Sequence, residues 1–247
     1  SGCALCPADS PYSVSGNDQH CVSLYCDLVD AYGHLDIPST TTMIPIYAFA
    51  SCSKLKSVDF GVDSQLETID EYAFYQSGIT SIHIPNKVTS IGKRAFGECQ
   101  SLGILTFAEG SQVESFGWRA FQSTIITSVE LPNSVMIVNT QAFQDNSALS
   151  TVTIACSSEP LAIGPWAFDN MPTEDAQCRQ LTFGLGCDDV VDGSIVIPAD
   201  VTTIFQSAFE QCSSLTSVTF AADSELTKIG VGAFQWTGIT TVTIPAN

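Results

Sequence analysis

Apolar and polar positions alternate along most of this chain in short bursts. Each burst is followed by a second apolar pair and then by the dipeptide Ala-Phe. The Phe of that dipeptide falls at positions 49, 74, 96, 121, 143, 168, 209 and 234, at intervals of 25, 22, 25, 22, 25, 41 and 25 residues. Long and short units thus alternate, and self-similarity at such a period marks stacked structural repeats rather than one globular core.

The bursts themselves follow a pattern. Long units read Leu55-x-x-Val58-x-Phe60, Leu102-x-x-Leu105-x-Phe107, Leu149-x-x-Val152-x-Ile154 and Leu215-x-x-Val218-x-Phe220. Short units read Ile79-x-x-Ile82-x-Ile84-Pro85, Ile126-x-x-Val129-x-Leu131-Pro132 and Ile239-x-x-Val242-x-Ile244-Pro245. Strict alternation of β-branched and polar residues predicts a short strand with one buried face. The proline lacks an amide donor and ends the ladder. Pairs such as Leu66 and Ile69, Val88 and Ile91, or Val201 and Ile204 lead into the Ala-Phe turn. There Phe is expected to fill the coil and Ala to allow close stacking.

The run Ile84-Pro85-x-x-Val88-Thr89-x-Ile91-Gly92-x-x-Ala95-Phe96-x-x-Cys99-x-x-Leu102 resembles the BspA-type (Treponema pallidum-type) leucine-rich repeat. The resemblance covers 39–247. It implies a right-handed solenoid with a parallel β-sheet on its concave face and short strands and turns on the convex side. It also implies a role in adhesion and protein binding, and it carries over no catalytic residue.

Three departures stand out. The interval of 41 exceeds a short unit by 19 residues, placing an insertion at about 171–193 that includes Asp188, Asp189 and Asp192. Insertions in solenoids project as loops and often bind. Residues 1–38 do not fit the repeat. Their Cys3, Cys6, Cys21 and Cys26 resemble a short cysteine-rich module of the ephrin-receptor type, expected to be a disulfide-stapled cap, with a four-thiolate zinc site as the alternative. At the other end the repeat stops at Asn247 without a polar cap, an open end through which the chain is expected to continue or associate.

The other cysteines divide in two. Cys52, Cys99 and Cys212 each lie three residues after their Phe, where other units carry Ser77, Thr124, Asn146 and Thr237. Cys52 and Cys99 are two coils apart, roughly 9–10 Å, too far for a disulfide. All three are therefore read as buried free thiols. Among Cys156, Cys178 and Cys187 the preferred bridge is Cys178–Cys187.

Composition narrows the function classes. The chain is 45% hydrophobic, which argues against disorder. It carries 26 acidic against 8 basic side chains, for a net charge of −18, a field that repels phosphate backbones and anionic lipid surfaces. Nucleic acid and direct membrane insertion are accordingly not expected, and no apolar run reaches the roughly 18 residues of a membrane span. Ten cysteines point to the extracellular space, a cell surface or an oxidising lumen. The chain opens at Ser1 without a secretory signal, as a processed form or a fragment would.

Catalysis finds little support. The three histidines, His20, His34 and His83, belong to no recognisable metal, nucleophile or nucleotide motif. His83, with Asp59 and Thr106 on neighbouring strands, forms at most a partial triad. No cofactor or metal is expected. Asp63, Glu67, Glu109, Glu114, Glu159, Asp223 and Glu225 form an acidic edge read as solvated rather than as a calcium site. The expected contact surface for a protein partner is the exposed mid-strand column Asp59, His83, Thr106, Glu130, Thr153, Val196, Thr219 and Thr243, together with the acids of the insertion. Its threonines also raise an ice-binding reading, which the interspersed charges disfavour.

Overall fold

The computed structural model of the protein describes residues 25–154, 157, 160–168 and 181–242. These residues form a parallel-sheet solenoid with little helix, each coil contributing one strand to each of two faces and a turn between them.

The first face carries the alternating bursts. Strand Ser81–Ile84 pairs in parallel with Ile104–Phe107, setting His83 opposite Thr106. Ser128–Leu131 pairs likewise with Thr151–Ile154, and Ser194–Ile197 with Ser217–Phe220. In Ser81–Ile84, Ile82 and Ile84 are buried while His83 is exposed, the two-residue period the sequence predicts. Backbone bonds also link one pair to the next, as Ile125 N–H donates to Leu102 O at 3.0 Å, and Thr80 N–H donates back to Lys56 O of the preceding coil at 2.9 Å.

The second face is built from the apolar pairs. Met43–Ile44, Thr68–Ile69, Ser90–Ile91, Ser115–Phe116, Ile137–Val138, Leu161–Ile163 and Leu181–Phe183 form one seven-stranded parallel sheet. A glycine follows several of these strands because coils approach so closely there. A Cβ on Gly92 would lie 2.6 Å from Glu71 N, and one on Gly164 would lie 2.4 Å from Thr140 N, closer than any side chain tolerates.

The Ala-Phe turn is a third ladder. Tyr72, Phe74 and Gln76 donate their amides to Lys93 O, Ala95 O and Gly97 O of the next coil, while Ala73, Tyr75 and Ser77 donate within the coil. That alternation requires left-handed backbone at the residues two before and two after each Phe. Tyr72 (φ 56°), Gln76 (55°), Arg94 (49°), Glu98 (57°), Arg119 (55°) and Ser123 (55°) all adopt it. Each such residue costs about 1–2 kcal/mol, offset by the inter-coil bonds it permits.

Inside, the phenylalanines stack ring on ring. Centroid separations are 5.2 Å for Phe49–Phe74, 5.1 Å for Phe74–Phe96, 5.2 Å for Phe96–Phe121, 5.0 Å for Phe121–Phe143 and 5.1 Å for Phe143–Phe168. Three residues on runs the cysteine column. Asn146 in that column donates to Phe121 O (2.9 Å) and Phe143 O (2.8 Å) and accepts from Thr124 N (3.0 Å). Two coils earlier in the same column, Cys99 donates to Phe74 O at 3.0 Å.

This column corrects the sequence reading of the cysteines. Cys52 and Cys212 are not free thiols: Cys52 is bonded to Cys26 and Cys212 to Cys187, with Cα separations of 5.6 and 5.7 Å. Each pair joins adjacent coils, a distance that a disulfide spans, whereas the sequence argument weighed only a separation of two coils. Cys187 is therefore not paired with Cys178. Cys26 leaves no thiolate for a four-cysteine zinc site and is not closed within residues 1–38. Cys99 is a buried free cysteine as expected. Cys3, Cys6, Cys21, Cys156 and Cys178 lie outside the described residues.

Two further expectations shift. Strand His34–Asp36 pairs with Ser57–Asp59, so the ladder begins inside the segment assigned to the cap. The 171–193 segment, in turn, is not all loop. Leu161 pairs with Leu181 and Ile163 with Phe183, so residues 181–183 add a strand to the second face, and part of the surplus length builds the wall of the solenoid. The seven-stranded sheet ends there. Thr203–Ile204 and Lys228–Ile229 form a separate pair, and the core divides into one cluster up to Phe168 and another from Ile195. Ile137 and Ala162 of the first part pack against the second cluster.

Phe121 is fully buried between two stacked rings, so Phe121→Ala should lower stability by about 3–5 kcal/mol, read from denaturant midpoints. Burial pushes the Cys99 thiol up to about 11. The folded protein should therefore leave Cys99 unalkylated at mildly alkaline pH, and peptide mapping should find it labelled only after unfolding.

Candidate functional site

The exposed column of the first face is regular because parallel pairing admits one register. Asp36 lies opposite Asp59, His83 opposite Thr106, Glu130 opposite Thr153, and Val196 opposite Thr219. All of these side chains are exposed; Thr243 lies outside the described residues. His83 Nδ1 and Thr106 Oγ1 are 2.9 Å apart, and no activated nucleophile is assembled there. Apolar side chains share this face, with Ile104 60% and Val196 61% exposed.

The acids of the 171–193 segment do not converge. Asp188 accepts from the Trp166 indole N–H at 2.9 Å, and Asp189 accepts from Gly186 N–H at 2.7 Å, capping the short helix Cys187–Asp189. Asp192 (φ 48°) and Gly193 (φ 75°) form a tight turn between Val191 and Ser194, whose backbones exchange two bonds of 2.9 Å. Asp-Gly is the residue pair such turns demand. All three acids are exposed, and each has a structural reason to be where it is.

Sequence reasoning passed over the edge formed by the Ala-Phe turns. Three of the eight basic side chains converge on one indole there. Lys93 Nζ is 4.5 Å, the Arg94 guanidinium 5.1 Å and the Arg119 guanidinium 4.3 Å from the Trp118 ring. Gln141 Oε1 accepts from Trp118 Nε1 (3.0 Å) and Arg119 Nε (2.8 Å). Beside them Tyr47 stacks on Tyr72 at 4.8 Å. Burial, then the neighbouring Arg94 charge, pulls the Arg119 pKa down. Arg94 Nε is buried with no hydrogen-bond partner among the described residues. Glu98 faces Arg94 at 3.8 Å and accepts from the Tyr75 hydroxyl and the Gln76 amide, each at 2.7 Å. Those two bonds hold its carboxyl below the ordinary carboxylate range. The signal was available, since Tyr47, Tyr72, Arg94 and Arg119 all lie two residues before a Phe and so share a column.

For metals, one set of described side chains brings its ligand atoms within 4.8 Å of one another, namely His34, Asp36 and Asp59. Among the described residues no helix is long and apolar enough to cross a membrane.

The family model of the BspA type leucine-rich repeat region matches six copies, over residues 31–150, 67–180 and 193–247. Among curated proteins there is no match. The solved structure of the pneumococcal vaccine antigen PcpA is similar at 23% identity and a TM-score of 0.51, over 86% of this chain and 51% of that one. The chain thus spans about half the length of the antigen structure. A leucine-rich cell surface protein of Faecalibacterium prausnitzii matches at 22% identity over 85% of this chain and 72% of that one, with a TM-score of 0.39. The Treponema pallidum leucine-rich repeat protein matches at 16% identity over 81% and 74%, with a TM-score of 0.31. The likeness to the antigen structure concerns the fold alone.

A carboxyl whose pKa is lowered by folding stabilises the native state above its unfolded pKa, about 4.3 for Glu. That contribution is lost as pH falls through the lowered folded value. Glu98→Gln should therefore flatten the acid limb of the stability profile, leaving a smaller drop in urea midpoint between neutral and acidic pH than in the parent.

Proposed function

We propose that this chain, which belongs to the BspA type leucine-rich repeat family, is a non-catalytic protein-binding or adhesion module. Its partner, of unknown identity, is held on the exposed first-face column centred on Thr106, Glu130 and Thr153. The observation that carries this reading is the register. One side chain per coil is presented at a fixed rise on a rigid parallel ladder, and exposed Ile104 stands on the same face. A regular platform whose middle holds few charges suits the core of a protein interface, where charged residues are depleted, and Ile104, 60% exposed, adds apolar area to it. The disulfides Cys26–Cys52 and Cys187–Cys212 support a location outside the reducing cytosol, at a cell surface, extracellular, or in an oxidising lumen.

A second reading, a structural subunit joined through its last coils, rests on a different feature. In Thr203–Ile204 the second residue is buried, yet both positions of Lys228–Ile229 are exposed. Val231 is 81% and Trp236 66% exposed nearby.

A photoreactive amino acid placed at Thr106 or Thr153 should cross-link a discrete protein in the native setting, while one at Ser90 on the second face should not. Cross-linking from Ser90 alone, or from none of these positions, would overturn the proposal. Sedimentation separates the two readings. The binding module stays monomeric at micromolar concentration, whereas the subunit self-associates and loses that association on Trp236→Ala.

A further inference from the structure

We infer that His34, Asp36 and Asp59 form a zinc site on the first coils of the exposed ladder. This inference does not depend on the identity of any protein partner.

The site follows from pairing geometry. His34 and Asp36 are two residues apart in one strand, so their side chains leave the same face. Parallel pairing aligns Asp36 with Asp59 of the next coil, about 4.8 Å away across the ladder. Elsewhere among the described pairs of this column a charged or polar side chain meets a neutral one, as Glu130 meets Thr153 and Val196 meets Thr219. Among the described pairs of this column only this one sets two carboxylates directly opposite each other, an arrangement that destabilises a sheet and that a bound cation would relieve. No lysine or arginine within salt-bridge distance of either carboxylate is found among the described residues. The group that does approach is the His34 ring, 39% exposed at its side chain, with Nε2 at 3.0 Å from Asp36 Oδ1.

The imidazole is positioned as a ligand would be. Its Nδ1 is 2.9 Å from Ser57 Oγ, so a hydroxyl on the partner strand holds the ring and turns Nε2 toward the carboxylates, the outer-shell arrangement usual for metal-bound histidine. Asp30 fixes the turn below by accepting from the amides of Tyr32 and His34, each at 2.8 Å. Asp59 uses Oδ1 to accept from Gly61 N–H at 2.8 Å and keeps Oδ2 for another partner.

The donor set selects the ion. One nitrogen and two carboxylate oxygens are too few and too mixed for calcium, which takes six to eight oxygens. They match the three protein ligands of an open tetrahedral zinc centre, whose fourth position holds water. Bonds of about 2.0–2.1 Å place tetrahedral ligands roughly 3.3 Å apart. The His34–Asp36 separation of 3.0 Å is already close to that, and side-chain rotation of Asp59 within the 4.8 Å set supplies the third. The net charge of −18 raises the local cation concentration.

The test uses the full folded chain with its accessible thiols alkylated, the buried Cys99 being out of reach of the metal as well as of the reagent, so that cysteines outside the site do not contribute. Zinc chloride titrated by calorimetry should give one equivalent of binding, and calcium should give none at the same concentration. In histidine-detected NMR, zinc should move the His34 ring resonances and leave those of His20 and His83 in place. His34→Ala and Asp59→Asn should each weaken binding at least tenfold, while Glu109→Gln, an exposed acid outside both the cluster and the mid-strand column, should leave it unchanged. Circular dichroism should show all three variants folded, since these side chains lie on the surface. Absence of zinc heat at millimolar concentration would overturn the proposal. So would an unshifted His34 signal, or affinity equal in the parent and in folded His34→Ala.

Discussion

The rise of one coil on the next is the constraint from which the other features follow. It is set three times over, by the parallel ladders of the two faces and by the ladder through the Ala-Phe turn. Because all three strands of hydrogen bonding share one spacing, a residue at a given phase of the repeat always meets its counterpart one coil away. Every column must therefore tolerate its own stacking. Phenylalanine does so as flat rings about a van der Waals thickness and a slip apart. A polar column does so only where its members exchange bonds, as Thr124 and Asn146 do.

The same rule turns chemistry that is dispersed in sequence into neighbours. Residues 22 to 26 apart touch, and residues adjacent in sequence face different directions. Lys93, Arg94, Trp118 and Arg119 become a cluster because they occupy two adjacent columns on successive coils. In a chain of such acidity, that edge concentrates positive charge which a uniform surface would scatter. The cations lie over the buried indole, where the ring quadrupole offsets part of their mutual repulsion, at roughly 0.5–2 kcal/mol for each pair.

How much of this was legible in the sequence depends on whether a column keeps one residue type. Ala-Phe and the alternating bursts are nearly invariant from unit to unit, so strands, turn and buried face could be read directly. The exposure of His83, Thr106, Glu130 and Thr153 followed from the period of two. The coil that holds Leu181–Phe183 was not legible because its turn is shortened. Cys187 follows Phe183 by four residues, where Cys99 follows Ile91 by eight, and no Ala-Phe intervenes. Phe183-Gly184 does repeat the pairs Ile91-Gly92 and Phe116-Gly117, a two-residue signal easily lost beside the missing phenylalanine. Cys26 was likewise hidden. Its coil lacks the Ala-Phe dipeptide that would have placed it one period below Cys52. The acidic residues at 188, 189 and 192 invited a binding reading by composition, whereas the local contacts each of them makes, to the Trp166 indole, to the Gly186 amide and within a tight turn, are visible only in the structure.

The two disulfides sit where the stacking column is interrupted, which accounts for their positions. Phe168 stacks on Phe143 and Phe209 on Phe234, with no ring contact between Phe168 and Phe209 among the described residues. Cys187–Cys212 crosses this break. At the start of the array, Phe49 meets Tyr25 edge-on at 5.8 Å instead of a stacked phenylalanine, and Cys26–Cys52 ties those coils. In a quasi-one-dimensional array each interface contributes separately, so one weak interface limits cooperativity along the whole stack. A disulfide between adjacent coils closes a loop of about 25 residues and stabilises by about 3–4 kcal/mol through the unfolded chain, the order of what a missing phenylalanine contact would contribute. The covalent links thus take over where the aromatic column fails, and between them the uninterrupted stack from Phe49 to Phe168 holds the exposed ladder rigid.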